Sequence, residues 1–222
     1  MLFDAVSTPA SLFWPLLTRL GEAQILLPLS LTAALWLGLR AGLPQLAWRW
    51  MLALSAAVAL TTASKLAFMG WGLGIATLDF TGFSGHSMFA AATLPMLAWV
   101  LTLGRPVQDR AVWGAVGLAA LIAHSRVHVG AHSPSEALSG LILGLAASAF
   151  SLRVAVRLPL RVPLWLPAVV LTVLASMPFA APRSRTHDWV TQLSVKLSGH
   201  AQAFTRSDLH RRAASLNAAP RP

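Results

Sequence analysis

The chain has no cysteine, few acids and little charge of any kind. Without cysteine there are no disulfides and no thiol chemistry. Charged residues make up 11% of the 222 positions, less than half of the roughly 25% usual in a soluble globule, while 56% are hydrophobic. That balance excludes an ordinary water-soluble domain. Seven Asp and Glu stand against 17 Lys and Arg, a net charge of +10. The surplus flanks apolar blocks and forms no basic stripe on a soluble fold, so anionic headgroups, not nucleic acid, are the expected partner.

What fills the chain instead is apolar sequence in long blocks. A helix crossing a bilayer needs roughly 20 apolar residues, and six segments come near that length: about 23–39, 50–69, 86–104, 111–127, 135–152 and 162–181. Turn signals separate them at Arg40-Ala41-Gly42-Leu43-Pro44, from Gly70 to Gly85, at Gly104-Arg105-Pro106, and at Arg157-Leu158-Pro159 with Arg161 and Pro163. The expected fold is all-α, an integral membrane bundle of about six transmembrane helices, each satisfying its own backbone hydrogen bonds.

Two regions are expected, a transmembrane domain over 1–182 and a basic tail over 183–222. The tail carries Arg183, Arg185, Lys196, Arg206, Arg211, Arg212 and Arg221 against Asp188 and Asp208. Trp189, Leu193 and Leu197 recur at helical spacing, which predicts an interfacial amphipathic helix ahead of a frayed end. The N-terminus lacks the basic region and cleavage site of a secretory signal, so the first span is expected to be retained. With six spans, one face carries Arg40, Arg49, Arg105, Arg110, Arg153, Arg157 and Arg161 and a single acid, Asp109. By the positive-inside rule that face is cytoplasmic. Both termini, the 70–85 loop and the 128–134 turn then lie outside the cytoplasm, the periplasm in a diderm bacterium.

That outer face holds the chemistry. Thr81-Gly82-Phe83-Ser84-Gly85-His86 precedes an apolar helix. A glycine-containing turn entering a helix offers free N–H groups and the positive end of the helix dipole, a setting for phosphate. Ser84 would cap or donate and His86 would face the bound group; an ordinary helix start with an interfacial histidine is the plainer reading. The second cluster runs from Ser125 to Glu136, SRVHVGAHSPSE. Arg126 is a planar donor fork suited to phosphate oxygens. His132 sits in a turn, and Glu136 four residues on would accept from one imidazole nitrogen and leave the other free to attack. Ser133-Pro134-Ser135-Glu136 is also a capping box, a role that competes for the same carboxylate. Lys65 ends the second span on this face, where a lone lysine ordinarily snorkels.

These residues resemble the type-2 phosphatidic acid phosphatase superfamily, in its membrane branch. Its pattern is a lysine followed six residues on by Arg-Pro, then Pro-Ser-Gly-His, then Ser-Arg, five residues, His, three residues, Asp. Here the second motif is Phe83-Ser84-Gly85-His86 and the third is Ser125-Arg126, five residues, His132, three residues, Glu136. Two positions depart. Gly72-Leu73 stand where Arg-Pro is expected, and Glu136 replaces Asp. The resemblance implies that His132 attacks phosphorus, that His86 protonates the leaving oxygen and later activates water, and that Lys65, Arg126, Ser84 and the Gly85 N–H hold the phosphoryl oxygens, with no metal or cofactor.

The implied substrate is a phospholipid or polyprenyl phosphate entering laterally from the membrane: phosphatidic acid, phosphatidylglycerophosphate or a polyprenyl pyrophosphate. Trp71, Phe80 and Phe83 would line that entrance or serve as plain interfacial aromatics. Two other readings stay open. His124, His128 and His132 recur at i, i+4 and i+8 and, with His86, would suit zinc; or the bundle binds or moves a lipid without catalysis. Asp79 would pair with Lys65 or Arg126, or sit in a wet loop. The sequence leaves oligomeric state undetermined.

Overall fold

The computed structural model describes residues 9–155, 162–163, 165–180 and 186–218. The turn predicted at Arg157-Leu158-Pro159 with Arg161, the boundary at Pro182 with Arg183 and Arg185, and Arg221 lie outside them. The described residues form nine α-helices and no β-strand: α1 Pro9–Arg19, α2 Ala23–Leu39, α3 Pro44–Trp71, α4 Gly85–Leu101, α5 Gln108–His128, α6 Pro134–Leu152, α7 Trp165–Ala180, α8 Thr186–Ser198 and α9 Arg206–Ala218. Each of the six predicted segments falls on one helix, α2 to α7. The stretches Leu12–Leu39, Pro44–Trp71 and Pro134–Leu152 are long and apolar enough to cross a membrane; Gly85–Leu101 and Leu166–Ala180 are shorter apolar helices.

The spans show no polar stripe because both of their surroundings are apolar. Leu31, Leu35, Leu39, Leu52, Leu60, Leu138 and Ile142 point outward, where a soluble helix would carry charge. The hub is α4, buried along nearly its whole length and packed against α2, α3, α5 and α6. Trp50 crosses from α3 into this core and donates its indole N–H to the Ala92 carbonyl at 3.0 Å.

Small residues bring α4 and α6 together. A Cβ on Gly140 would stand 2.5 Å from the Ser84 carbonyl oxygen, and one on Gly144 would strike the Met88 carbonyl oxygen. Helices in lipid gain little from hydrophobic exclusion between them, so such close backbone approach does much of the joining. The result matters for chemistry: Ser84 N–H donates to the Glu136 carbonyl at 3.0 Å, which fixes the start of α4 against the start of α6.

At the end of the bundle rich in arginine, Arg105 donates to the Val162 carbonyl at 2.6 Å and Arg49 to the Phe150 carbonyl at 3.3 Å. At the other end the described residues past α7 hold more helix than the sequence pattern predicts. α8 lies along α3, with Gly70 facing Ser194 and Ser198, while Trp189, Leu193 and Leu197 remain exposed as an interfacial helix requires. The expected frayed end is instead α9. Thr205 N–H and Oγ1 donate to the Asp208 carboxylate at 2.8 and 2.6 Å, which satisfies the helix start. Leu209 is buried, and its methyl lies beside Gly74.

Candidate active site

The end of the bundle away from Arg49 and Arg105 gathers four helix termini: the last turns of α3 and α5 and the first turns of α4 and α6. Lys65 comes from α3, His86 from α4, Arg126 from α5 and Glu136 from α6, with His132 in the turn between α5 and α6. All five line one cavity of about 820 Å³, together with Gly85. The turn that carries His132 is closed on Arg126, whose carbonyl accepts from Ala131 N–H at 3.1 Å and His132 N–H at 3.2 Å. Gly130 supplies the left-handed step (φ 68°) that this closure needs.

Glu136 is fully buried and fully engaged. Its Oε2 accepts from His132 Nδ1 at 2.8 Å, from Ser133 N–H at 3.2 Å and from Arg206 Nη2 at 2.8 Å. Its Oε1 accepts from Thr81 N–H at 2.7 Å and from Thr81 Oγ1. The capping box and the histidine contact therefore coexist on one carboxylate, where the sequence suggests a competition; the two oxygens have enough lone pairs for both. The contact at Nδ1 leaves His132 Nε2 as the free ring nitrogen. Burial pushes the imidazole below its ordinary value of 6.5, Glu136 pulls the other way, and the Lys65 and Arg126 charges reinforce burial. A neutral ring with an available lone pair is the form that attacks an electrophile.

Two donors on the wall are without a partner among the described residues. Arg126 Nη1 donates to Thr18 Oγ1 at 2.9 Å, but its Nε is buried and unpaired. Thr61, one turn before Lys65, also lines the cavity with a buried, unpaired hydroxyl. Buried donors left open are the exception in folded proteins, and both belong to residues that line the cavity. The sequence reading missed Thr61; its i−4 spacing from Lys65 was the available signal.

Ser84 departs from expectation. It is fully buried, lies outside the cavity wall, and its Oγ accepts from Ser87 Oγ at 3.0 Å. The tight approach of Gly140 to its carbonyl turns it toward α6, away from the cavity. Asp79 pairs with neither Lys65 nor Arg126: it holds Arg206 through Oδ2 and His210 Nε2 through Oδ1 at 2.8 Å. Trp71, Phe80 and Phe83 do not reach the cavity either. Its apolar wall is made by Val58, Phe68, Met69 and Phe89, with Trp189 and Val190 of α8.

The zinc arrangement does not form. Trp14 stacks on His128 (ring centroids 4.6 Å) and meets His124 edge-on (5.4 Å), apart from His86 and His132. No group of three His, Asp or Glu side chains among the described residues is placed to share a metal ion.

A family model described as the PAP2 superfamily matches residues 68–159, a range that takes in the second and third motifs and begins after Lys65. A Klebsiella pneumoniae protein, named as an uncharacterized 22.5 kDa protein in cps region, is 37% identical over 206 residues, which is 90% of this chain and 99% of that one. No solved structure gives a significant match.

Proposed function

The chain belongs to the PAP2 superfamily, and from that membership and the geometry of the cavity we propose that it is a membrane phosphatase that hydrolyses a lipid phosphate or pyrophosphate through a phosphohistidine. The observation that carries this is the His132–Glu136 pair, 2.8 Å apart, on the wall of a cavity whose other ionisable groups are cations or histidines: Lys65, His86, Arg126, His187 and Arg206.

In the first step His132 Nε2 attacks phosphorus, the bond to the leaving oxygen breaks, and His86 gives that oxygen its proton. Glu136 steadies the imidazolium that forms. Lys65, Arg126, Thr61 and the Gly85 N–H offset charge on the phosphoryl oxygens. In the second step water attacks the phosphohistidine, His86 takes its proton, the N–P bond breaks and phosphate leaves. The apolar wall of Val58, Phe68, Met69 and Phe89 suits the carbon chain of a lipid next to the headgroup. The substrate would be phosphatidic acid, phosphatidylglycerophosphate or a polyprenyl pyrophosphate, presented on the face opposite the arginine-rich end. In a bacterium that is the periplasmic side of the inner membrane.

The test is phosphate release from those three lipids by the detergent-purified full chain, with and without EDTA, beside His132→Ala. The expected result is release from at least one lipid that persists in EDTA and falls by about 10³-fold or more in the variant, as removal of a nucleophile does. A folded wild type that releases nothing, or an equally active His132→Ala, would overturn the reading.

A further inference from the structure

We infer that Arg206, carried into the site by α9, is a positioning residue for the His132–Glu136 pair, and that the active site is incomplete without this C-terminal helix. The inference rests on the reading of His132 and Glu136 given above and adds a residue from outside the 68–159 family match.

Arg206 lines the same cavity as His132 and is tied at both ends of its guanidinium. Nη2 donates to Glu136 Oε2 at 2.8 Å; Nη1 donates to the Asp79 carbonyl at 2.8 Å and pairs with Asp79 Oδ2. Burial works against its charge, but the Glu136 and Asp79 carboxylates more than restore it and hold Arg206 more firmly protonated than a free arginine. Glu136 Oε2 is thus shared between the imidazole that it aims and a guanidinium fixed from outside the bundle. A planar fork clamped at two carboxylates sets direction as well as charge.

The clamp is built, not incidental. Asp79 is the one non-glycine residue with positive φ (49°) among the described residues, at the tip of a loop closed by paired Ile75–Phe80 backbone bonds of 2.9 and 3.0 Å. Such backbone is held only where its surroundings over-determine it. Four further contacts seat α9: His210 on Asp79, Leu209 beside Gly74, Phe204 N–H on the Met69 carbonyl at 2.8 Å, and Arg212 stacked on Phe204 with its guanidinium against Gly72, where a Cβ would meet Nη1 at 2.5 Å. Position 72 is where the family pattern carries its missing arginine; here that space admits an arginine arriving from α9.

The charged and titratable groups that line the cavity with His132 are Lys65 from α3, His86 from α4, Arg126 from α5, Glu136 from α6, His187 from α8 and Arg206 from α9. Arg206 is the member that offsets Glu136. Without it Glu136 acts on His132 at full strength and one nearby positive charge is gone, and both changes make the imidazole more basic.

The experiment compares the full-length wild type with Arg206→Gln, Arg206→Lys and Arg211→Gln, the last removing a cation that pairs with Asp208. Activity against pH is measured on the best lipid, together with the titration of His132 followed by imidazole NMR and assigned with His132→Ala. For Arg206→Gln we expect kcat to fall about tenfold or more with KM changed less than about twofold. The acid limb and the His132 titration should both move to higher pH. Arg206→Lys, which keeps the charge without the fork, should hold the His132 titration near its wild-type position and recover only part of the rate, and Arg211→Gln should match wild type. Unchanged kcat in Arg206→Gln, a rise in KM alone, or a loss of rate with an unmoved titration would overturn the inference. If the wild type hydrolyses no lipid, the phosphatase reading fails by itself. The His132 titration still decides the positioning role.

Discussion

At the scale of single residues, Glu136 decides most. The sequence places it four residues after His132, and the spacing predicts a contact to one imidazole nitrogen, because i and i+4 groups meet across a helix start; the structure identifies it as Nδ1. What the spacing hides is that the same carboxylate also closes the cap and receives Arg206 from 70 residues away. Glu136→Gln should keep the shape and lose the charge. We expect kcat to drop by on the order of 10²-fold or more, as for other histidines deprived of an orienting carboxylate, measured as phosphate release from the best lipid. The pH profile adds a sign. Attack needs neutral His132, so activity is present above its pKa and is lost as pH falls through it; burial places that limb below 6.5. Glu136 pulls the imidazole upward, so Glu136→Gln should move the limb further down, opposite to the shift expected for Arg206→Gln. A limb that stays in place or moves up in Glu136→Gln would show that Glu136 does not act through His132.

At the scale of elements, helices α2 to α7 were legible because apolar length is a strong signal and needs no partner to be read. Packing partners were not. Ser84 has the position of a phosphate donor beside His86, yet its backbone packs against Gly140 of α6, 56 positions away, and its hydroxyl accepts from Ser87. Gly144→Val tests the same seam. The added side chain meets the Met88 carbonyl, Ala91 and Ala92, all on the backbone-lined face of α4. Overpacking of this kind costs about 1–3 kcal/mol, so the melting temperature in detergent should fall, while a change of Gly114, which faces open space, should leave it unchanged. The start of α9 is legible in the sequence, since Thr205-Arg206-Ser207-Asp208 has the spacing of a helix cap. The basic composition of the segment points the other way, toward a frayed tail, because composition does not register a local cap.

At the scale of the whole molecule, the charge surplus and the missing cysteines combine into one argument. The arginines of the turns between the apolar helices sort to one end, where Arg105 and Arg49 also tie the helix termini through the Val162 and Phe150 carbonyls, and the cavity opens at the other. The chain past α7 returns to the cavity side, where Arg206 of α9 meets Glu136. A chain without cysteine gives a silent background for labelling. A single cysteine replacing exposed Val107 marks the arginine end, and one replacing exposed Gln202 marks the linker before α9. In intact cells a membrane-impermeant maleimide should label the Gln202→Cys protein and reach the Val107→Cys protein only after the membrane is permeabilised. The reverse order would place the catalytic end in the cytoplasm and rule out lipids of the outer leaflet as substrates. Labelling of both proteins from outside would mean that the chain does not carry its arginine end across the bilayer, and the span assignment itself would fall.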